Sequence, residues 1–224
     1  MKLRLFCAAA ALSLALTTPS YALTYSLEVV PTTPLVMVGT VTQLQVVLVE
    51  TLFDLDTSRL DSENGLLGGG FKLETVPMDP PASQPATPVG VSANSGFGFV
   101  VDSTVSSTSA SVWAVVDPSI TPSPTAGVLA TKYGNEWRVV LGTVDVRMGA
   151  VLGDQTSFRA TELSPDFATI STFGTDETPG TVLDGFLSPS SDVTLTVIPE
   201  PAALSMLSLG LAGLLWRRGT ARNA

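Results

Sequence analysis

The chain predicts an all-β fold, an antiparallel β-sandwich lying between two short apolar helices at its termini. Three observations predict it. Apolar residues recur at every second position in a series of short runs, the period of a half-buried strand rather than of a helix. Connections rich in glycine and proline separate these runs, drawn from 19 Gly and 16 Pro, and many short strands punctuated this way pack as a sandwich. Two apolar runs, residues 5–16 and 202–216, sit near the ends of the chain beside basic residues and stand apart from the pattern between them.

The first of these runs reads as a secretory leader. Met1-Lys2-Leu3-Arg4 is a basic start, residues 5–16 form an apolar core, and Ser20-Tyr21-Ala22 places small residues at both specificity positions of a signal-peptidase site. Cleavage is expected after Ala22, leaving residues 23–198 as the body. Cys7 is the only cysteine and falls inside the leader. The exported body would then contain no thiol, which excludes a disulfide framework, a thiolate metal site and a cysteine nucleophile.

The body, about 176 residues, has the size of one domain with a sizeable core. Residues 25–30 open it, with Tyr25, Leu27 and Val29 alternating with Ser26 and Glu28. After a Pro/Thr/Gly connection at 31–39, residues 41–50 place Leu44, Val46 and Leu48 on one face and Gln43 and Gln45 on the other. Further strands are expected at 71–76, 96–101, 111–116, 128–133, 136–141, 142–148, 156–160 and 192–198. In the last, Val193, Leu195 and Val197 point one way and Thr194 and Thr196 the other. Trp137, Val139 and Leu141 oppose Glu136, Arg138 and Val140 in the same manner, and Gly134-Asn135 ahead of them reads as a hairpin turn. No helical period of useful length occurs in the body. The opening strand, Gly39 ahead of a long alternating strand, and the run Val139-Val140-Leu141-Gly142-Thr143-Val144 followed by Gly153-Asp154 and residues 156–160 look similar to cohesin-like jelly-roll sandwiches. That resemblance implies a binding module without chemistry and carries over no binding residue.

Three connections interrupt the regular spacing. Residues 78–90 hold Pro80, Pro81, Pro85 and Pro88, and residues 117–127 hold Pro118, Pro122 and Pro124; both read as loops on one domain. Residues 51–70 carry Asp54, Asp56, Asp61 and Glu63, then Gly65 and Gly68-Gly69-Gly70. Hard oxygen ligands on a glycine-rich loop are what calcium requires, so these four acids are the candidate metal ligands. Solvated loop acids are the competing reading. The spacing departs from an EF-hand, whose third ligand would fall on Ser58 and whose glycine would fall on Arg59.

Chemistry is easier to exclude than to assign. The chain has no histidine, so a Ser-His-Asp triad, a Cys-His pair and histidine-ligated zinc or copper are unavailable. Gly68-Gly69-Gly70-Phe71-Lys72 lacks the hydroxyl and the following helix of a phosphate-binding loop. The body sets six basic residues against nineteen acidic ones, a net charge of −13, which excludes nucleic acid as a natural partner. Two-carboxylate glycoside hydrolysis is the one catalytic alternative the composition permits, because it needs only acids.

The second terminal run is built differently from the first. Pro199-Glu200-Pro201 ends the preceding strand, since proline lacks an amide donor and disfavours helix in the residue before it. Residues 202–216 carry no charge, and Arg217, Arg218 and Arg222 follow. A helix of fifteen residues is roughly 22 Å long, short of the roughly 30 Å bilayer core, so spanning would rely on Trp216 at the interface, snorkelling arginines and local thinning. The arginine cluster predicts a cytoplasmic C-terminus with the body outside. The order of parts resembles the PEP-CTERM sorting signal of exported proteins in Gram-negative bacteria that make exopolysaccharide, carried here by Pro199, Glu200, Pro201, Arg217 and Arg218. The resemblance implies an exosortase-like sorting protease that cuts near Pro-Glu-Pro, and delivery to the cell surface or extracellular matrix. The expected function is therefore a non-catalytic binding or structural module associated with exopolysaccharide.

Overall fold

The computed structural model describes residues 23–53, 57–117, 126–164, 168–174 and 180–200. The expected leader helix, the cleavage site at Ala22, and residues 201–224 with Pro201, Arg217 and Arg218 lie outside them.

The longest alternating runs become the centre of one sheet. β1 (Thr24–Pro31) pairs with β3 (Val41–Thr51), and β3 pairs with β9 (Glu136–Arg147), all antiparallel. β5 (Thr87–Ala93) and β8 (Thr131–Tyr133) both lie along β9, and β12 (Leu187–Ser188) adds a short parallel partner outside β1. The second sheet runs in the order β2 (Leu35–Met37), β13 (Val193–Ile198), β10 (Gln155–Thr161), β4 (Leu66–Val76), β7 (Ser109–Val116), β6 (Gly98–Val105), with β11 (Ser171–Thr172) also against β4. The chain changes sheet within the first fifteen residues of the body: β1 belongs to the first sheet, and β2 runs parallel to β13 in the second. The expected β-sandwich is what forms.

Between the sheets, Leu27, Leu44, Leu48 and Leu141 face Phe71, Leu73, Phe158 and Leu195, all buried. Val193, Leu195 and Val197 all pack on this core, with Leu195 fully enclosed, so the alternation in the closing strand identifies its inner face correctly.

Two regions depart from the sequence reading. Residues 136–148, expected as two strands, form the single strand β9 with a bulge where Leu141 and Gly142 oppose Val46. An extra residue in one strand reverses the side-chain phase. Val139 and Leu141 before the bulge, and Val144 and Val146 after it, are thereby all buried. Gly142 is required there, because a Cβ would lie 2.4 Å from the Ser92 carbonyl oxygen. The second departure is Gly68-Gly69-Gly70, expected in a loop and found inside β4. A Cβ on Gly69 would stand 2.4 Å from Phe97, and one on Gly70 would stand 2.8 Å from the Thr169 side chain. These glycines make room for an aromatic ring on one face of the sheet and for a crossing segment on the other. Within the proline-rich connection, residues from Thr87 onward form β5, an edge strand that accommodates Pro88 at a register shift. The described residues contain one short helix, α1 (Arg59–Ser62).

Candidate functional site

One end of the sandwich is held by buried carboxylates. Glu50 continues the inward phase of Leu44, Val46 and Leu48 and is fully enclosed. The Tyr25 hydroxyl donates to it at 3.0 Å, the Ser58 hydroxyl at 2.5 Å and the Arg59 amide at 2.9 Å. Ser58 also caps α1 by accepting from the Asp61 amide at 3.1 Å. Burial, reinforced by the charge and hydrogen bond of Glu50, pushes the Tyr25 phenol well above its ordinary pKa. Glu63 accepts from the hydroxyls of Thr172 and Thr181, and Arg59 donates to Thr181 at 2.9 Å. Asp184 accepts from the Thr169 hydroxyl at 2.5 Å and the Ile170 amide at 2.7 Å. Burial raises the Asp184 pKa against the opposing pull of these bonds. Glu50 and Glu63 each join a strand to a neighbouring segment, and Asp184 joins two loop segments, with the oxygens turned to protein donors.

The two described candidate calcium ligands sit in different environments. Asp61 is exposed on α1, whereas Glu63 is buried against Thr172 and Thr181. Asp54 and Asp56 lie outside the described residues. Glu50, which the sequence reading did not single out, is the most enclosed acid of this end. Its signal was its position two residues beyond Leu48, in the phase of the core.

The outer face of the first sheet carries an open groove of about 660 Å³. Val30, Val47 and Val140 form its floor, with Gln45 and Asn94 beside them and Leu129, Thr131 and Tyr133 rising along β8. Arg138 lies between Glu136 (2.9 Å) and Glu28 (3.1 Å) and sits 5.9 Å from the Tyr133 ring. The Asn94 amide donates to the Val140 carbonyl at 2.7 Å, closing the backbone beside the bulge. Tyr133 is 60% exposed and Leu129 66%. Arg138 is shared by two acids here, and the surface combines an aromatic side chain, aliphatic residues and planar amides, a lining suited to holding a ligand.

The opposite end is where the chain leaves the sandwich. Val197 is bonded twice to one turn, its amide donating to the Asp154 carbonyl and its carbonyl accepting from the Gly153 amide, each at 3.0 Å. Ile198 pairs with Met37 in β2. Pro199 and Glu200 follow immediately, with no linker.

The chain carries a PEP-CTERM protein-sorting motif. The match covers residues 197–219, beginning on the last two residues of β13. Among solved structures the chain is similar to cohesins. The seventh ScaB type I cohesin of Pseudobacteroides cellulosolvens is 12% identical with a TM-score of 0.46, covering 78% of this chain and 94% of that one. A chain of a type I cohesin–dockerin complex from Clostridium thermocellum is 10% identical with a TM-score of 0.43, covering 77% and 99%. A non-cellulosomal cohesin of Archaeoglobus fulgidus is 12% identical with a TM-score of 0.39, covering 81% and 97%. No curated relative matches the chain in sequence.

Proposed function

We propose that this chain is an exported surface protein, sorted by its C-terminal motif and either anchored by residues 202–216 or released from them by an exosortase-like protease. Its β-sandwich acts outside the membrane as a non-catalytic binding or structural module. The observation that carries this reading is the junction at Ile198. A folded β-domain with an open groove passes without a linker into a sorting motif, so whatever the domain binds is delivered to the place where the tail is sorted. The lack of histidine and of an exported thiol, together with three buried carboxylates occupied by protein donors, supports binding over hydrolysis.

Deletion of residues 199–224 tests the anchor: the protein should move from the membrane and cell-surface fractions to the soluble periplasm or the medium. Unchanged membrane retention would sink the reading. Titration of the exported protein against exopolysaccharide extracted from the producing cells, with an assay for released sugar, tests the module; saturable binding without product is the expected result. Product formation would establish the carboxylate hydrolase instead. Calcium binding at Asp54, Asp56, Asp61 and Glu63 remains a proposal of its own. Millimolar calcium should raise the melting temperature more than magnesium does, and Asp54→Asn with Asp56→Asn should abolish the shift.

A further inference from the structure

The end of the sandwich from which the tail emerges carries exposed apolar side chains beside the junction. Two turns meet there. Met37 to Thr40 closes by a Thr40 amide bond to the Met37 carbonyl (3.3 Å), with Gly39 at a φ of 65°. Val151 to Asp154 closes by the Asp154 amide to Val151 (3.3 Å), with Gly153 at a φ of 81°. The Gly39 amide donates to the Gly149 carbonyl at 3.2 Å, joining the two. At these turns and the strand ends beside them, aliphatic side chains face solvent: Met37 is 38% exposed, Val41 50% and Leu152 55%, and Val151 is also exposed.

Glycine at positive φ sets both turns, and the Thr40 hydroxyl adds a bond to the Met37 carbonyl at 2.8 Å. The position of the aliphatic side chains around them says which surface would cover them. Ile198 pairs with Met37, and the Gly153 turn is bonded to Val197. Only Pro199, Glu200 and Pro201 separate Ile198 from the uncharged run 202–216. Three residues reach at most roughly 10 Å, enough to cross a headgroup layer of roughly 5–8 Å on one side of the bilayer. Arg147, in register with Val41 and exposed, has no ion pair among the described residues, so the same rim offers a cation to phosphate headgroups. Asp154, the acid of the neighbouring turn, accepts from the Gln84 amide at 2.8 Å.

We infer that this end of the sandwich is a lipid-contacting surface, with Met37, Val41, Val151 and Leu152 resting in the interfacial layer of the bilayer that residues 202–216 enter. The inference rests on the proposed anchoring role of the tail and adds to it a fixed orientation. The body stands on its turns rather than swinging on a tether. Tyr133 and the hairpin of β8 and β9, at the other end of β9 from Arg147, are held away from the membrane.

The test uses the exported chain with Cys7→Ser, purified from the membrane fraction of the producing cells and placed in vesicles of phosphatidylethanolamine and phosphatidylglycerol. An environment-sensitive fluorophore is attached at Leu152→Cys or, at the far end, at Tyr133→Cys. Both positions are exposed, and circular dichroism checks that both variants keep the fold. Blue-shifted emission at Leu152, quenched several-fold more than at Tyr133 by lipids bearing doxyl labels, is the expected result. Equal quenching at the two positions overturns the inference, as does a shielded Leu152 label that lipid quenchers do not reach, which would indicate contact between protein copies. Alkaline carbonate extraction reports on the anchor separately. Retention of the protein with a water-exposed Leu152 overturns this inference alone, whereas release by carbonate overturns the anchoring role and this inference together.

Discussion

The two ends of the sandwich close by opposite means. At the end holding the start of β1 and of β9, polar groups are turned inward: Glu50, Glu63 and Asp184 are buried and bonded to hydroxyls and amides of the loops they secure. At the tail end the turns close by backbone bonds and by exposed side-chain bonds from Thr40 and to Asp154, and apolar side chains beside the junction are turned outward. A buried acid is stabilising only while its donors are in place, so the first end is sensitive to any single loss. An exposed aliphatic tip satisfies no partner in the body, so the second end is indifferent to substitution as far as folding goes. Sensitivity to mutation therefore marks structure at one end, while at the other the apolar residues exposed beside the junction are ones that folding does not need.

The largest expected effect tests how far the indifference of the tail end extends. Leu195 lies three residues before the junction yet is fully buried, so Leu195→Asp should destabilise the protein by about 4 kcal/mol or more. Thr194→Asp, on the other face of β13, should cost far less; equal midpoints in urea for the two variants would refute the assigned faces. Next comes Glu50→Leu, which leaves the Tyr25 hydroxyl, the Ser58 hydroxyl and the Arg59 amide without their acceptor. A loss on the order of 3 kcal/mol is expected, since each buried unpaired donor costs about 1–3 kcal/mol. A midpoint unchanged from the parent would mean that the clamp does not hold this end.

A smaller effect concerns pH. The Asp184 pKa is raised in the folded protein, chiefly by burial. The folded state therefore takes up a proton more readily than the unfolded chain, and this group's contribution to stability is fully present below its ordinary pKa and is lost as pH rises through the raised one. In Asp184→Asn that dependence is absent. The stability of the parent relative to Asp184→Asn should rise as the pH is lowered from 7 towards 4, measured by urea unfolding at each pH; a constant difference would show that Asp184 titrates as a solvated carboxyl. The smallest effect belongs to the tail end. Leu152→Ser should change stability in detergent-free solution by less than about 0.5 kcal/mol, and a larger loss would mean that Leu152 packs within the body.

The sequence by itself determined the class of fold and the tail. Period-two alternation is a local property of a strand with one face buried, so Leu44, Val46 and Leu48, and Val193, Leu195 and Val197, reveal their inner face without reference to any partner. The sorting motif is likewise read from residue types in order, and its match at 197–219 depends on no contact. Tertiary structure decided what depends on a neighbour distant in the chain. Gly68, Gly69 and Gly70 look like loop residues until Phe97 and Thr169 occupy the space their missing side chains leave. Residues 136–147 look like two strands until the bulge opposite Val46 reverses their phase. Glu63 looks like a solvated loop acid until Thr172 and Thr181, more than a hundred residues away, supply its donors. The reason is the same in each case. Alternation and motif order are written along the chain, whereas the space available to a glycine and the donors available to a buried acid are set by whichever segment folds back against them.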